Sequence, residues 1–82
     1  MAEDTDLQAL ARARIKNGTL PCEPPPSTWG NRSKGVRCEL CGETIVRATV
    51  EYEVVMEQRV AHFHTRCFTI WRMECGRQRK LE

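Results

Sequence analysis

The sequence predicts a small α+β domain, and three observations carry that prediction. Two tight pairs of metal-type ligands, Cys38-Glu39-Leu40-Cys41 and His64-Thr65-Arg66-Cys67, stand 22 residues apart. Between them Val50, Tyr52, Val54 and Met56 alternate with Glu51, Glu53 and Glu57, the period of two that marks a strand. After them Cys67, Phe68, Trp71 and Cys75 recur on one side of a helix. With 82 residues the chain has room for one domain, and its packed part, about 45 residues from Val36 to Arg79, is too short to hold itself together by apolar burial alone.

Element by element, Asp4 to Asn17 reads as a short amphipathic helix. Thr5 is placed to cap it and Gln8 to complete a capping box, while Leu7, Leu10, Ala11 and Ile15 form a narrow apolar stripe. Asn17-Gly18 supplies a left-handed stop. Docking on the domain itself and docking on a partner both satisfy such a stripe.

Leu20 to Gly35 reads as an extended linker, with Pro21, Pro24, Pro25 and Pro26 disfavouring collapse. Trp29 within it is expected to latch onto the domain or to contact a partner, because an indole buries so much area. A hairpin follows, its second run spanning Arg59 to Phe63 and its turn falling at Glu57-Gln58. Thr65 to about Cys75 is the last helix, with Gly76 as its stop and Arg77-Gln78-Arg79-Lys80 as a basic tail. The expected units are therefore an N-terminal helical segment (1–19), a Pro-rich linker (20–35) and a metal-binding domain with a basic tail (36–82), the metal site being independent of residues 1–20.

Composition narrows the function classes. The formal charge is only +2, but residues 1–6 carry three acids, whereas residues 66–80 carry five bases (Arg66, Arg72, Arg77, Arg79, Lys80) against Glu74 alone. No stretch approaches the length of a membrane span, so no membrane partner is expected. Met1-Ala2-Glu3-Asp4 is acidic where a secretory leader opens on positive charge. With five cysteines, an odd number, three of which belong with His64 to a metal-type set that fits zinc better than bridges, a reducing, cytoplasmic setting is expected. Cys22 reads as a free thiol in an exposed arm and Cys75 as a small core residue.

Cys38, Cys41, His64 and Cys67 are the candidate metal ligands. Thiolate and imidazole donors in two short-spaced pairs close a tetrahedron around one structural Zn²⁺. Gly42, directly after the second ligand, permits the positive-φ turn that aims backbone N–H groups at the sulfurs. Cys67 in the first helical turn gains from the positive end of the helix dipole. His62, two residues before His64, competes for the same role or stands beside the site. Zinc of this kind contributes on the order of 10 kcal/mol to finger-sized folds, so metal and fold are coupled. Three thiolates and the dication lower the formal charge by one.

The order zinc knuckle, β-hairpin, C-terminal helix is a treble-clef-like arrangement. The segment Cys38 to Trp71, with Cys38-x-x-Cys41, Ile45 and His62-Phe63-His64-Thr65-Arg66-Cys67-Phe68, resembles the Cys3His zinc finger of poly(ADP-ribose) polymerases, which implies DNA binding. It is also similar to the first half of a LIM domain, which implies protein binding; the ligands of a second LIM zinc site are absent. Two functions follow as expectations. One is a nucleic-acid-binding module that meets phosphates through Arg47, Arg59, Arg66, Arg72 and the Arg77–Lys80 tail, with Phe63 or Trp71 as a stacking face. The alternative is a protein-interaction adaptor gripping a partner with the N-terminal helix and Pro-rich arm. Enzymatic action is not expected: four donors close the metal's shell, no nucleophile–base–orienter set is present, and no small-molecule substrate is evident.

Overall fold

The computed structural model describes residues 4–22, 27–56 and 59–81. Its elements run in the order α1 (Asp4–Lys16), β1 (Thr28–Arg32), β2 (Val50–Met56), β3 (Arg59–His64) and α2 (Thr65–Leu81). The fold is α+β, as expected. The three strands form one antiparallel sheet in the order β1-β2-β3, with Gly30 opposite Tyr52 and Tyr52 opposite Phe63. The hairpin turn expected at Glu57-Gln58 lies outside the described residues, as do Pro24, Pro25 and Pro26.

α1 ends where expected: the amide of Asn17 returns to Ala13 O, and Gly18 takes a φ of 83°. Its start differs, because Asp4 is already helical and Thr5 therefore sits inside the first turn rather than capping it. The apolar stripe is satisfied intramolecularly. Leu7, Ala11 and Leu20 are buried in the same core as Trp71, Ile70 and Phe63, and α1 packs along α2. Arg12 Nε donates to Glu74 Oε1 at 2.9 Å, and Arg66 pairs with Asp4 at the outer end of the same interface. The segment from Asp4 to Leu20 thus supplies part of the core, the intramolecular one of the two dockings open to its stripe.

The expected linker also needs correction. Thr28–Arg32 is an edge strand hydrogen-bonded to β2 from Val54 to Val50. No alternation announced it, since all five residues are exposed and the strand is held by its backbone. Trp29 lies on it at 41% exposure, so it is not buried as a latch. The arm before it is tied down elsewhere: Trp71 Nε1 donates to Pro21 O at 3.1 Å, and Cys22 is disulfide-bonded to Cys75. Cys22 is therefore not a free thiol, and the cysteines outside a disulfide are Cys38, Cys41 and Cys67.

α2 passes through Gly76 to Leu81, against the expected stop. A helix-ending glycine needs a left-handed φ, which Gly76 does not adopt, and a mid-helix glycine costs only about 1 kcal/mol. The inner face of α2 is the expected one. Phe63 stacks on Trp71 with ring centroids 4.9 Å apart, Phe68 meets Trp71 edge-on at 5.9 Å, and Cys67 and Cys75 are buried beside them.

The alternation in β2 is only partly obeyed. Val54 and Met56 face the core, but Val50 is 61% exposed and Glu51 is 1% exposed. Glu51 is the cross-strand partner of His64 and shares its face of the sheet, where the Cys38–Gly42 turn lies. Covered from that side, the sheet buries an acid where a one-sided sheet would expose it.

Candidate metal centre

The 38–42 turn is built by its own backbone. Gly42 N donates to Cys38 O at 3.0 Å, Cys38 N donates to Glu43 O at 2.9 Å, and Gly42 has a φ of 78°, as its position after the second cysteine predicts. Glu39 N bonds His62 O at 2.8 Å, which fixes the turn against the edge of β3. Leu40 is fully buried beneath it, and Arg14 Nε reaches its carbonyl at 3.1 Å. α2 begins directly after His64, so Cys67 stands in the first helical turn, facing back towards the hairpin's end.

These elements bring Cys38, Cys41, His64 and Cys67 together. Their four donor atoms all lie within 4.8 Å of one another, a group that could hold a metal ion. His64 Nδ1 is 3.4 Å from Cys41 Sγ and 3.8 Å from Cys67 Sγ. Cys38 and Cys67 are buried, and Cys41 and His64 are half-buried.

The thiols are strongly unequal. Cys38 is pulled down to about 4, first by the Cys67 side chain donating to it and then by the amides of Cys41, His64 and Leu40. Burial pushes Cys41 up, against the pull of the Glu43 amide. Cys67 is pushed well up because its proton is held by Cys38 and its surroundings are desolvated. One thiolate is thus stable in the cluster without any ion, resting on Cys38, the sulfur richest in backbone donors. The amide cradle expected from Gly42 is present.

His62 does not join the four. Its Nδ1 instead meets Glu51 Oε2 at 3.0 Å, with Glu53 Oε1 at 4.0 Å. In the sequence Glu51 and Glu53 stand only as the polar half of a strand alternation; the signal for more is their i, i+2 spacing opposite a histidine.

The expected phosphate contacts are largely engaged. Arg59 pairs with Glu39 at 2.7 Å, Arg66 with Asp4, and Arg77 with Glu74 at 3.6 Å. Arg72 lies over the Trp71 ring at 4.9 Å and reaches Cys22 O. Trp71 and Phe63, the proposed stacking faces, are buried. Arg32, Lys34, Arg37 and Arg47, by contrast, are exposed and make no ion pair among the described residues. They share one end of the molecule, because the 32–37 and 44–49 loops run side by side: Ser33 N bonds Thr49 O, Ala48 N bonds Ser33 O, and Arg37 bridges to Thr44. Val46 and Val50 are exposed at the same end. No described helix is long and apolar enough to cross a membrane.

Compared with protein-family models, curated proteins and solved structures, the chain matches none.

Proposed function

We propose that the chain is a non-enzymatic, zinc-stabilised binding module of treble-clef type. Its partner is nucleic acid, met through the basic loop end formed by Arg32, Lys34, Arg37 and Arg47. The observation that carries the zinc reading is the convergence of three sulfurs and one imidazole nitrogen within 4.8 Å. In a tetrahedron with Zn–S near 2.3 Å and Zn–N near 2.0–2.1 Å, sulfur and nitrogen stand about 3.5 Å apart. The separations of 3.4 and 3.8 Å bracket that value. Cys38, Cys41, His64 and Cys67 would hold the ion, which supplies cross-linking rather than Lewis acidity, since four protein donors leave no position for a substrate or water. The sequence of tight turn, hairpin and ligand-bearing helix start supports the treble-clef reading.

The partner reading rests on charge that is left over. Internal ion pairs engage much of the basic surface, whereas the loop end keeps four cations beside two exposed valines. Phosphates are complementary to such a surface, and apolar side chains there can lie against sugars or bases. The protein-partner alternative has one observation in its favour: Trp29 is half-exposed on the edge strand β1. The N-terminal helix is spent on α2 and does not serve it.

Metal analysis of the purified chain and salt-dependent retention on DNA and RNA test the two parts separately. One zinc per chain is expected; thiols found bridged or idle with no zinc overturn the module itself. Retention should fall steeply with salt, and Arg37→Ala or Arg47→Ala should each reduce the log–log slope by about one. No retention at low salt removes nucleic acid as the partner.

A further inference from the structure

We propose that Glu51, Glu53 and His62 form a second, exchangeable site for a divalent first-row metal ion, separate from the thiolate centre. Glu51 and Glu53 are two apart on β2 and project from the same face, and His62 is the register partner of Glu53 on β3. The three donor atoms lie within 4.8 Å of one another.

Charge is the reason for an ion here. The Glu51 side chain is 1% exposed, so its carboxylate has left water almost completely. Among the described residues, its side-chain partner is the His62 ring, which Glu53 also approaches, and no Lys or Arg pairs with either acid. Glu53 gains one amide donor, Asn31 Nδ2 at 3.2 Å. Two carboxylates thus share one imidazole, whereas a buried charge persists where it is paired. The imbalance is worsened by position: Glu51 faces His64 across the ladder, next to a cluster that three thiolates and a dication leave net negative. A second dication neutralises this pocket; a plain His–Glu ion pair leaves Glu53 unexplained.

The donor set also selects the ion. Two carboxylate oxygens and one imidazole nitrogen suit borderline and hard ions, while the thiolates next door take the softer ones. Donors around one ion with bonds of about 2.1 Å stand from about 3.0 Å apart at right angles to about 4.2 Å when opposite, a range that holds both Glu51 Oε2 to His62 Nδ1, at hydrogen-bond distance of 3.0 Å, and Glu53 Oε1 to His62 Nδ1 at 4.0 Å. Glu53 and His62 keep 16% and 27% of their side-chain surface, which gives an entry path and leaves coordination positions to water. Three protein ligands make the site weaker and more exchangeable than the closed one.

Mn²⁺ is the probe, because it favours oxygen and nitrogen donors and does not compete for thiolates. The full chain is first loaded with zinc and its zinc content measured, which separates a failure of the thiolate centre from a failure of this site. Mn²⁺ is then titrated in, with free ion followed by electron paramagnetic resonance and line broadening by NMR. Uptake of one Mn²⁺ without zinc loss, with broadening centred on Glu51, Glu53 and His62, is the expected result. Glu53→Gln and His62→Asn, both at partly exposed positions, should abolish uptake with zinc content unchanged. Mn²⁺ left free at millimolar concentration, broadening centred elsewhere, or folded variants that bind as the native chain does would each overturn the assignment. Should either variant lose its dispersed amide spectrum, the broadening map of the native chain decides alone.

Discussion

Trp71 Nε1 donates a hydrogen bond to the carbonyl of Pro21 at 3.1 Å, across 50 positions of sequence. The contact makes one residue the hub of three parts: the indole stacks on Phe63 of β3, sits in α2, and anchors the arm that leads from α1 to β1. Trp71→Ala is expected to cost about 3–5 kcal/mol, the range for emptying an aromatic from a core. Trp71→Phe should cost much less, about 1 kcal/mol beyond any repacking, because Pro21 is at the surface and its carbonyl can turn to water. Denaturant unfolding of the two variants separates the packing loss from the hydrogen-bond loss.

The Cys22–Cys75 disulfide fastens the same arm one residue further on. It closes a loop with a sequence separation of 53, for which the chain-entropy account gives about 4 kcal/mol of stabilisation. Reduction, or Cys22→Ser, should lower stability by up to that amount without altering metal stoichiometry, since neither cysteine belongs to the Cys3His cluster. Unfolding curves with and without reductant, at constant zinc, provide the measurement. A change below about 0.5 kcal/mol would mean that the hydrogen bond from Trp71 already holds the arm.

Residues 1–20 are expected to contribute directly to the domain's stability. Leu7, Ala11 and Leu20 are buried against α2, and Arg12 is a charged partner of the buried Glu74 carboxylate. Leu7→Ala should cost about 2–5 kcal/mol if its cavity does not collapse. Deleting residues 1–20 should cost more, because it also uncovers Trp71 and Ile70. Thermal unfolding of the zinc-loaded chain with and without this segment gives the answer, and an unchanged midpoint would refute it.

What was legible in the sequence followed from local rules. Two residues between ligands force a tight loop, alternation in Val50–Met56 requires a strand, and the spacing of Cys67, Phe68, Trp71 and Cys75 requires a helix face; all three are present. What was not legible depends on distant partners. β1 has no buried residue and exists only because β2 offers its edge. Glu51 reads as a solvent-facing acid until the Cys38–Gly42 turn is laid over that side of the sheet. Cys22 finds Cys75 through packing of the arm, which no spacing rule foretells. Gly76 passed for a stop because composition does not reveal φ.

Cys41→Ser is expected to unfold residues 36–75 as a block. On the zinc reading the ion is the main clamp at the ligand end, where Gly42, Glu43 and Thr44 are exposed and the turn is otherwise held by the Glu39–His62, Arg14–Leu40 and Arg59–Glu39 contacts. Amide dispersion in a two-dimensional NMR spectrum is the readout. Dispersed signals retained in the variant would show that packing alone suffices.

The unequal thiols set how metal binding depends on pH. Before an ion binds, Cys38 carries the cluster's thiolate down to about pH 4, while Cys41 and Cys67, both raised above the ordinary thiol value of 9.0, keep their protons. All three must bind as thiolates, so entry of the ion expels the protons of Cys41 and Cys67 and not that of Cys38. The sign follows directly. Protons compete with the metal, so affinity rises with pH, and above the ordinary imidazole range and below about pH 9, with two thiol protons displaced, the logarithm of the binding constant climbs by about two per pH unit. Isothermal titration of zinc into the metal-free chain, in buffers of different ionisation enthalpy at about pH 8, above the ordinary imidazole range, should therefore register release of about two protons per ion. Release of about three would show that Cys38 holds a proton at neutral pH and that its amide cradle does not stabilise the thiolate.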